Sequence, residues 1–326
     1  IDFPASVCIK ALAGHKDAIK RLHEIRDEYL RNPYNPSVLN ECMEIKRKIM
    51  TKIHKLFKKK YGDISDLPLF APLNFFFCYF NEDGDPIDIS EQGFPGIIGN
   101  PPYDVFVEDK YFKQSIAAGT SNLFSHFIVK GVQFSKSGGT FSFIVPLSFS
   151  CGSDCERVRQ FVYNNYGHLK TAHYSIRPAR LFPEVDQRMT IFLARKKGDS
   201  PCIVESSRLY RFTSEERDQI VTNPVTGLAG PIVKGYIPRV ADPVGASIYK
   251  KFLAIKTTIA DYIPDKKDTD RTAYEKWWFH SVGRYWLKAY DFTPYFTREG
   301  TLGRSSNIHE MISISKEVAN ACVAVV

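Results

Sequence analysis

Phe94-Pro95-Gly96-Ile97-Ile98-Gly99-Asn100-Pro101-Pro102-Tyr103 is the stretch on which the fold turns. Its first six residues predict a short apolar strand, Phe94–Gly99, running straight into a turn. The two prolines hold φ and remove two N–H donors, so the turn is stiff and its carbonyl oxygens stay free. At the carboxyl end of a strand in an open α/β sheet, such a turn faces the ligand crevice. It offers the Asn100 amide oxygen, the Pro101 carbonyl and the Tyr103 ring there. Two acceptors and a flat aromatic suit a planar group that carries an NH2. The lone pair of such an amine is delocalised and weakly nucleophilic. Acceptors drawing on its hydrogens favour sp³ nitrogen, and stacking on a ring is worth about 1–3 kcal/mol per base. That is chemistry for moving a methyl group onto an amine. The bland alternative is a rigid Asn-Pro-Pro turn with a packed tyrosine.

Downstream, the pattern alternates. Asn122–Ser135 reads as a helix closed by Ser137-Gly138-Gly139, and Thr140–Val145 as a strand dense in Phe, Ile and Val. Ser153–Tyr166 reads as a helix, and Leu169–Ser175 and Met189–Arg195 as strands. Strand, helix, strand, helix, strand predicts an α/β sheet with helices on both faces. The alternation stops after Lys196-Lys197-Gly198-Asp199, which predicts a domain boundary near 198–200 and a turn-rich, α+β remainder.

Upstream, Ile19, Leu22, Ile25, Tyr29 and Leu30 repeat at helical spacing, and so do Ile45, Ile49, Ile53, Phe57 and Tyr61. Asn32-Pro33-Tyr34-Asn35-Pro36 separates them, so residues 10–62 read as an αα-hairpin with Ser37 capping its second helix and Gly62 ending it. That helix carries Lys46, Arg47, Lys48, Lys52, Lys55, Lys58, Lys59 and Lys60, either a solvated face or a contact to phosphates.

The whole chain has 326 residues, 44% hydrophobic and 25% charged. This balance excludes global disorder and fits one large domain or two ordinary ones. No apolar run approaches the ~20 residues of a membrane span. Forty-four Lys+Arg against 36 Asp+Glu give +8, compatible with a polyanionic partner. Seven cysteines without a CxxC pair read as thiols of a reducing compartment, and no signal peptide is visible. HExxH, GxSxG and GxxxxGK[ST] do not occur. The start at Ile1 and the apolar end Ala321–Val326 predict a piece of a longer protein. Trp277, Trp278 and Trp286 lie within ten positions, among Tyr274, Phe279, His280, Arg284, Tyr285 and Lys288. Such interleaving serves to stack on nucleic acid or to build a small core with an amphipathic rim.

The Asn100-Pro101-Pro102-Tyr103 segment resembles motif IV of S-adenosylmethionine-dependent amino-methyltransferases. Asn122-Leu123-Phe124, Gly138-Gly139 and Phe143-Ile144-Val145-Pro146 resemble motifs V to VI of gamma-class N6-adenine DNA methyltransferases, and Leu181-Phe182-Pro183 resembles their motif VIII. The resemblance spans roughly 94–197. The hairpin and Leu73–Phe80 resemble type IIG restriction–modification enzymes, and Arg284-Tyr285-Trp286-Leu287-Lys288 with Ser305-Ser306 resembles, more weakly, a target-recognition domain. The resemblance implies a Rossmann-like methyltransferase sheet, its C-terminal part, in an incomplete catalytic domain over 1–198. An incomplete target-recognition domain follows over 199–326.

It also implies S-adenosylmethionine as cofactor, double-stranded DNA as partner, and a prokaryotic, cytoplasmic setting. Asn100, Pro101 and Pro102 with Tyr103 would form the catalytic turn, Asn100 and Pro101 accepting from the adenine N6 amine. Tyr103 and Phe182 would hold the extruded base, and Asn122 and Phe124 the floor near the cofactor. Pro95 stands where the family usually has an acidic residue. Residues 1–93 contain only Gly14, Gly62, Gly84 and Gly93, and Gly300-Thr301-Leu302-Gly303 follows no strand pattern. The expected Gly-rich cofactor loop would then lie upstream of Ile1, as would any nuclease. Other readings keep the turn but change the amine to cytosine N4, an RNA base or a protein glutamine, or make the chain a non-catalytic DNA-binding module.

Overall fold

The computed structural model describes residues 5–61, 71–105, 116–196, 202–229, 235–263, 274–281, 288–303 and 305–324. Contacts divide the chain into two compact units, Ile1–Tyr249 and Lys250–Val326. In the first, α1 (Ala5–Ala13), α2 (Lys16–Arg31), α3 (Pro36–Tyr61) and the single turn α4 (Ala71–Asn74) precede the sheet. β1 (Phe94–Gly99), α5 (Leu123–Phe134), β2 (Ser135–Pro146), the short α6 (Ser148–Cys151) and α7 (Glu156–Asn165) follow. β3 (His168–Tyr174), β4 (Met189–Arg195), β5 (Ile203–Tyr210), α8 (Arg217–Thr222) and β6 (Gly227–Leu228) complete the series, and α9 (Pro243–Ala254) crosses the boundary between the two units.

The predicted hairpin is α2 and α3. The cap on α3 is Asn35, not Ser37: the Asn35 Oδ1 accepts from the Ser37 N–H at 3.1 Å and from its hydroxyl at 2.7 Å. Pro36 then takes the first helical position, where a missing N–H costs nothing. Gly62 lies outside the described residues. The apolar stripes Ile19, Leu22 and Ile49, Ile53 close a core with Leu12, Leu73, Phe76, Tyr79 and Phe80. The Phe75 ring meets that of Phe94 at 5.0 Å, which ties this helical part to the start of β1.

The six-stranded sheet has the order β1-β2-β4-β3-β5-β6. β1 pairs parallel with β2 through α5, whereas β4 runs antiparallel to both β2 and β3 and separates them. Alternation along the strands makes two faces. On one, Phe141, Phe143, Val145, Phe192 and Leu169 pack under α5 and α7, through Phe124, Ile128, Val129, Val158 and Val162. Gly131 permits this approach, because a Cβ there would stand 2.4 Å from the Phe141 ring. On the other, Ala172, Tyr174, Met189, Tyr210, Leu181 and Phe212 form a second core, joined by Ile220 and Val221 of α8.

Two expectations change. Ser137-Gly138-Gly139 does not end the helix: α5 stops at Phe134, and Gly138, with φ 74°, sits in an irregularity of β2. The sheet also does not stop near 198–200. β5 pairs parallel with β3 and β6 extends it, so the first compact unit reaches Tyr249. The reason is physical: Val204 is buried against the first core and Tyr210 against the second.

The unit Lys250–Val326 holds β7 (Glu275–His280), β8 (Ala289–Tyr290), the hairpin β9 (Thr297–Arg298) and β10 (Thr301–Leu302), β11 (Ile308–Ser313) and α10 (Lys316–Ala324). Trp277 is buried with Ala319 and Cys322 in its core. It is thus a packing residue, while Arg284, Tyr285, Trp286 and Leu287 lie outside the described residues. Gly300 is the tip of the β9–β10 hairpin, at φ 79°.

A polar seam crosses the buried sheet. His173 Nδ1 lies 3.1 Å from the Thr190 hydroxyl and Nε2 3.3 Å from that of Thr171. Burial, and then the nearby Arg239 charge, pull the His173 pKa from 6.5 down to about 3. The unfolded chain takes up this proton near pH 6.5 and the folded chain only near 3, so stability falls as pH drops across that window. We expect His173→Asn to flatten the pH dependence of urea unfolding there; an unchanged slope would refute the assignment. Phe192→Ala, which empties a fully buried site, is expected to cost about 3–5 kcal/mol in the same assay.

Candidate active site

The turn Asn100-Pro101-Pro102-Tyr103 leaves the carboxyl end of β1, next to β2. Gly99 sets the approach, since a Cβ there would stand 2.8 Å from the Phe143 ring. Asn100 and Pro102 are exposed, Pro101 is buried and Tyr103 is half-buried. The Tyr103 hydroxyl donates to the Asn100 Oδ1, with the Ile144 carbonyl of β2 3.3 Å away. That contact orients the amide and fixes its oxygen end. An amide oxygen has two lone pairs, so Asn100 keeps one for a further donor. Burial raises the Tyr103 pKa to about 12. The hydroxyl therefore stays a donor throughout the neutral range.

The rings of Tyr103 and Phe182 both pack on the second core, with Ile144 and Ile191. Residues 79 positions apart in sequence thus border one apolar patch beside Asn100. Phe182 sits on the loop between β3 and β4, which is clamped by Arg180: its guanidinium reaches Asp186 at 3.3 Å and the Pro183 carbonyl at 3.2 Å. The Arg180 carbonyl accepts from Arg217 Nε at 3.0 Å.

Asn122 stands beside the chain that follows the turn. Leu123 N–H donates to the Asp104 carbonyl at 3.0 Å, and Val105 and Asn122 form an antiparallel bridge. The Asn122 Nδ2 donates to the Thr120 hydroxyl at 3.1 Å and to the Asp154 carboxylate. Phe124 is wholly inside the first core. Where the sequence predicts a contact to a cofactor, the fold makes Phe124 a packing side chain without accessible surface.

Two supporting residues are invisible to motif reading. Asp154 accepts from both Asn122 and Thr120 and so anchors the segment after Tyr103. Arg159, fully buried, donates to the carbonyls of Phe149 at 2.9 Å and Gly152 at 2.7 Å, and through Nε to Gly235. It holds the loop that carries Asp154. In the sequence Arg159 is one more charged residue of a helix. Among the described residues no three His, Cys, Asp or Glu side chains are placed to hold a metal, and no helix is long and apolar enough to cross a membrane.

The site therefore supplies acceptors and apolar walls for a planar amine. Among the described residues, the two that the sequence assigns to S-adenosylmethionine do not face a cofactor. Asn122 spends both amide hydrogens within the protein and Phe124 is sealed, so no step through the cofactor follows from these residues.

The family model of the Eco57I restriction-modification methylases matches residues 14–182, just over half of the chain. No curated protein matches the sequence. Among solved structures, the chain is similar to a cryoEM structure of a DrdV–DNA complex, with TM-score 0.42 and 13% identity over 59% of this chain and 22% of that one. It is similar to the ATP-dependent type ISP restriction-modification enzyme LlaBIII bound to DNA, with TM-score 0.42 and 12% identity over 69% and 16%. A putative class I S-adenosylmethionine-dependent methyltransferase from Listeria monocytogenes gives 0.31 and 17% over 54% and 59%. The chain thus spans less than a quarter of the first two structures. By this match over residues 14–182, the chain belongs to the Eco57I restriction-modification methylase family.

Proposed function

We propose that this chain is the amine-holding part of a DNA methyltransferase that modifies the N6 amine of adenine. The methyl donor in this reading is S-adenosylmethionine, the substrate double-stranded DNA, and the setting a restriction–modification or phage-defence enzyme of type IIG character in a prokaryotic cytoplasm. One observation carries the reading: a stiff Asn-Pro-Pro-Tyr turn at the carboxyl end of a sheet strand, its amide oriented by its own tyrosine and flanked by a second exposed-edge aromatic, Phe182. Membership of a restriction-modification methylase family supports it.

In this reading, Asn100 Oδ1 and the Pro101 carbonyl accept the two amine hydrogens. That draws electron density onto nitrogen where it must attack. Tyr103 and Phe182 hold the ring, which returns part of the few kcal/mol spent on extruding a base from the duplex. Adenine is favoured because the resemblance of the whole 94–197 span is to N6-adenine enzymes, while the turn by itself fits any planar amine.

The test uses protein expressed from the complete reading frame, S-adenosylmethionine and mixed-sequence duplex, with nucleosides read by mass spectrometry. N6-methyladenine is the expected product. N4-methylcytosine alone would keep the turn and change the base, and no methylated base would overturn the DNA reading. Asn100→Ala is expected to lower methyl transfer at least ~100-fold, as for loss of one polar transition-state group. Near-wild-type turnover would refute the role given to Asn100. Tyr103→Phe keeps the ring but frees the amide, so it should retain more activity than Tyr103→Ala. Equal losses would mean that stacking contributes nothing.

A further inference from the structure

α3 is a helix with two chemical halves. Its amino-terminal half carries Glu41 and Glu44, and both are paired: Glu41 with Arg21 at 2.8 Å and Glu44 with Lys48 at 2.7 Å. From Ile45 to Tyr61 there are eight Lys and Arg and no carboxylate at all. The buried side of this half is Ile49 and Ile53, inside the helical core. Arg47, Lys48, Lys52, Lys55 and Lys58 stand on the exposed side. Among the described residues the side chains of Arg47, Lys52 and Lys55 form no salt bridge, although the Arg47 charge acts on Glu44.

This arrangement works against the helix itself. Lys48/Lys52, Lys52/Lys55 and Lys55/Lys58 are neighbours three or four apart with like charge, a destabilising pattern on an isolated helix. Three of the four acids of α2 are paired elsewhere, Glu24 and Glu28 with Arg21 and Asp27 with Arg26, while the fourth, Asp17, acts on its neighbour Lys16. Arg47, Lys52 and Lys55 thus share one solvent face of the helix. At ~1.5 Å of rise per residue, Arg47 to Lys55 spans about 12 Å. A duplex presents one phosphate per ~3.4 Å of axis on each strand. The row matches a run of several phosphates in length and in sign.

We infer that the exposed face of α3 formed by Arg47, Lys52 and Lys55 binds the phosphate backbone of duplex DNA, outside the base pocket. This rests on the reading of duplex DNA as substrate. A polymer held at the β1 turn extends well beyond it, so a second contact on the same molecule adds affinity without reading sequence.

The salt dependence of binding tests it. Wild-type 326-residue chain and the triple variant Arg47→Gln, Lys52→Gln, Lys55→Gln are titrated onto labelled duplex by fluorescence anisotropy over a range of salt. All three positions are exposed and Gln is a good helix former, so the fold is kept; far-ultraviolet circular dichroism verifies it. Each phosphate contact contributes about 0.9 to the slope of log Kobs against log salt, so the triple variant should lose about 2–3 from it. A charge-matched control, Lys250→Gln, Lys251→Gln, Lys256→Gln, should leave the slope unchanged. An unchanged slope in the α3 variant, an equal loss in the control, or no duplex binding by wild type would each overturn the inference. So would a variant that keeps the slope but loses binding to polyglutamate, which would make the partner an acidic protein. Methylation is scored separately: absence of N6-methyladenine with a changed slope would sink the catalytic reading and leave this one standing.

Discussion

The packing of Phe192 is the constraint on which the rest depends. This side chain of β4 is fully buried and meets Phe141 at 5.1 Å, nearly perpendicular, and Phe149 at 4.9 Å. Phe141 and Phe143 belong to β2, and Phe149 to the short helix after it. One ring therefore fastens an antiparallel strand between two parallel ones and pins the segment that leaves β2. Edge-to-face aromatic contacts are directional, so this fastening sets register as well as adhesion. The register matters because it places the Ile144 carbonyl beside the Tyr103 hydroxyl. The Asn-Pro-Pro-Tyr turn hangs on β1, but its tyrosine is positioned from β2.

Polar groups buried with the same sheet are held by neighbouring hydroxyls and carbonyls. His173 is uncharged by burial and shares hydroxyls with Thr171 and Thr190. Arg159 remains a cation with no carboxylate, and answers to carbonyl oxygens. A buried guanidinium is costly unless its donors are satisfied. Here Nη1 is bonded to the loop that carries Asp154 and Nε to the Gly235 carbonyl, while Nη2 has no hydrogen-bond partner among the described residues. The Asp154 carboxylate holds Asn122 and, through the Leu123 bond to Asp104, the chain beyond Tyr103. The turn is thus braced from three sides: its own prolines, the β2 carbonyl and the Asp154 loop.

Charge follows a different logic from packing. Within the helical hairpin the carboxylates are spent on Arg21, Arg26 and Lys48, and the carboxyl half of α3 is left positive. The net charge of +8 says little by itself. Its local segregation says more, because fields from clustered charges add over distances near the Debye length.

By itself the sequence determined β1 and β4 to the residue, and the hairpin. Those features rest on local rules: alternation, helical spacing, and prolines whose effect does not depend on neighbours. What only the tertiary structure decided is everything that needs two distant segments at once. Phe182 reaches the same patch as Tyr103 because the loop between β3 and β4 folds over the second core. Phe124, next to Asn122 in sequence, is turned into the first core by the helical twist of α5. β5 extends the sheet past 198 because its alternate residues meet both cores, although a Pro- and Gly-rich stretch precedes it. Asn35 displaced Ser37 as the cap since a side chain one position ahead of Pro36 reaches the free N–H first. In each case the deciding free energy is burial or a hydrogen bond between residues that no short window contains.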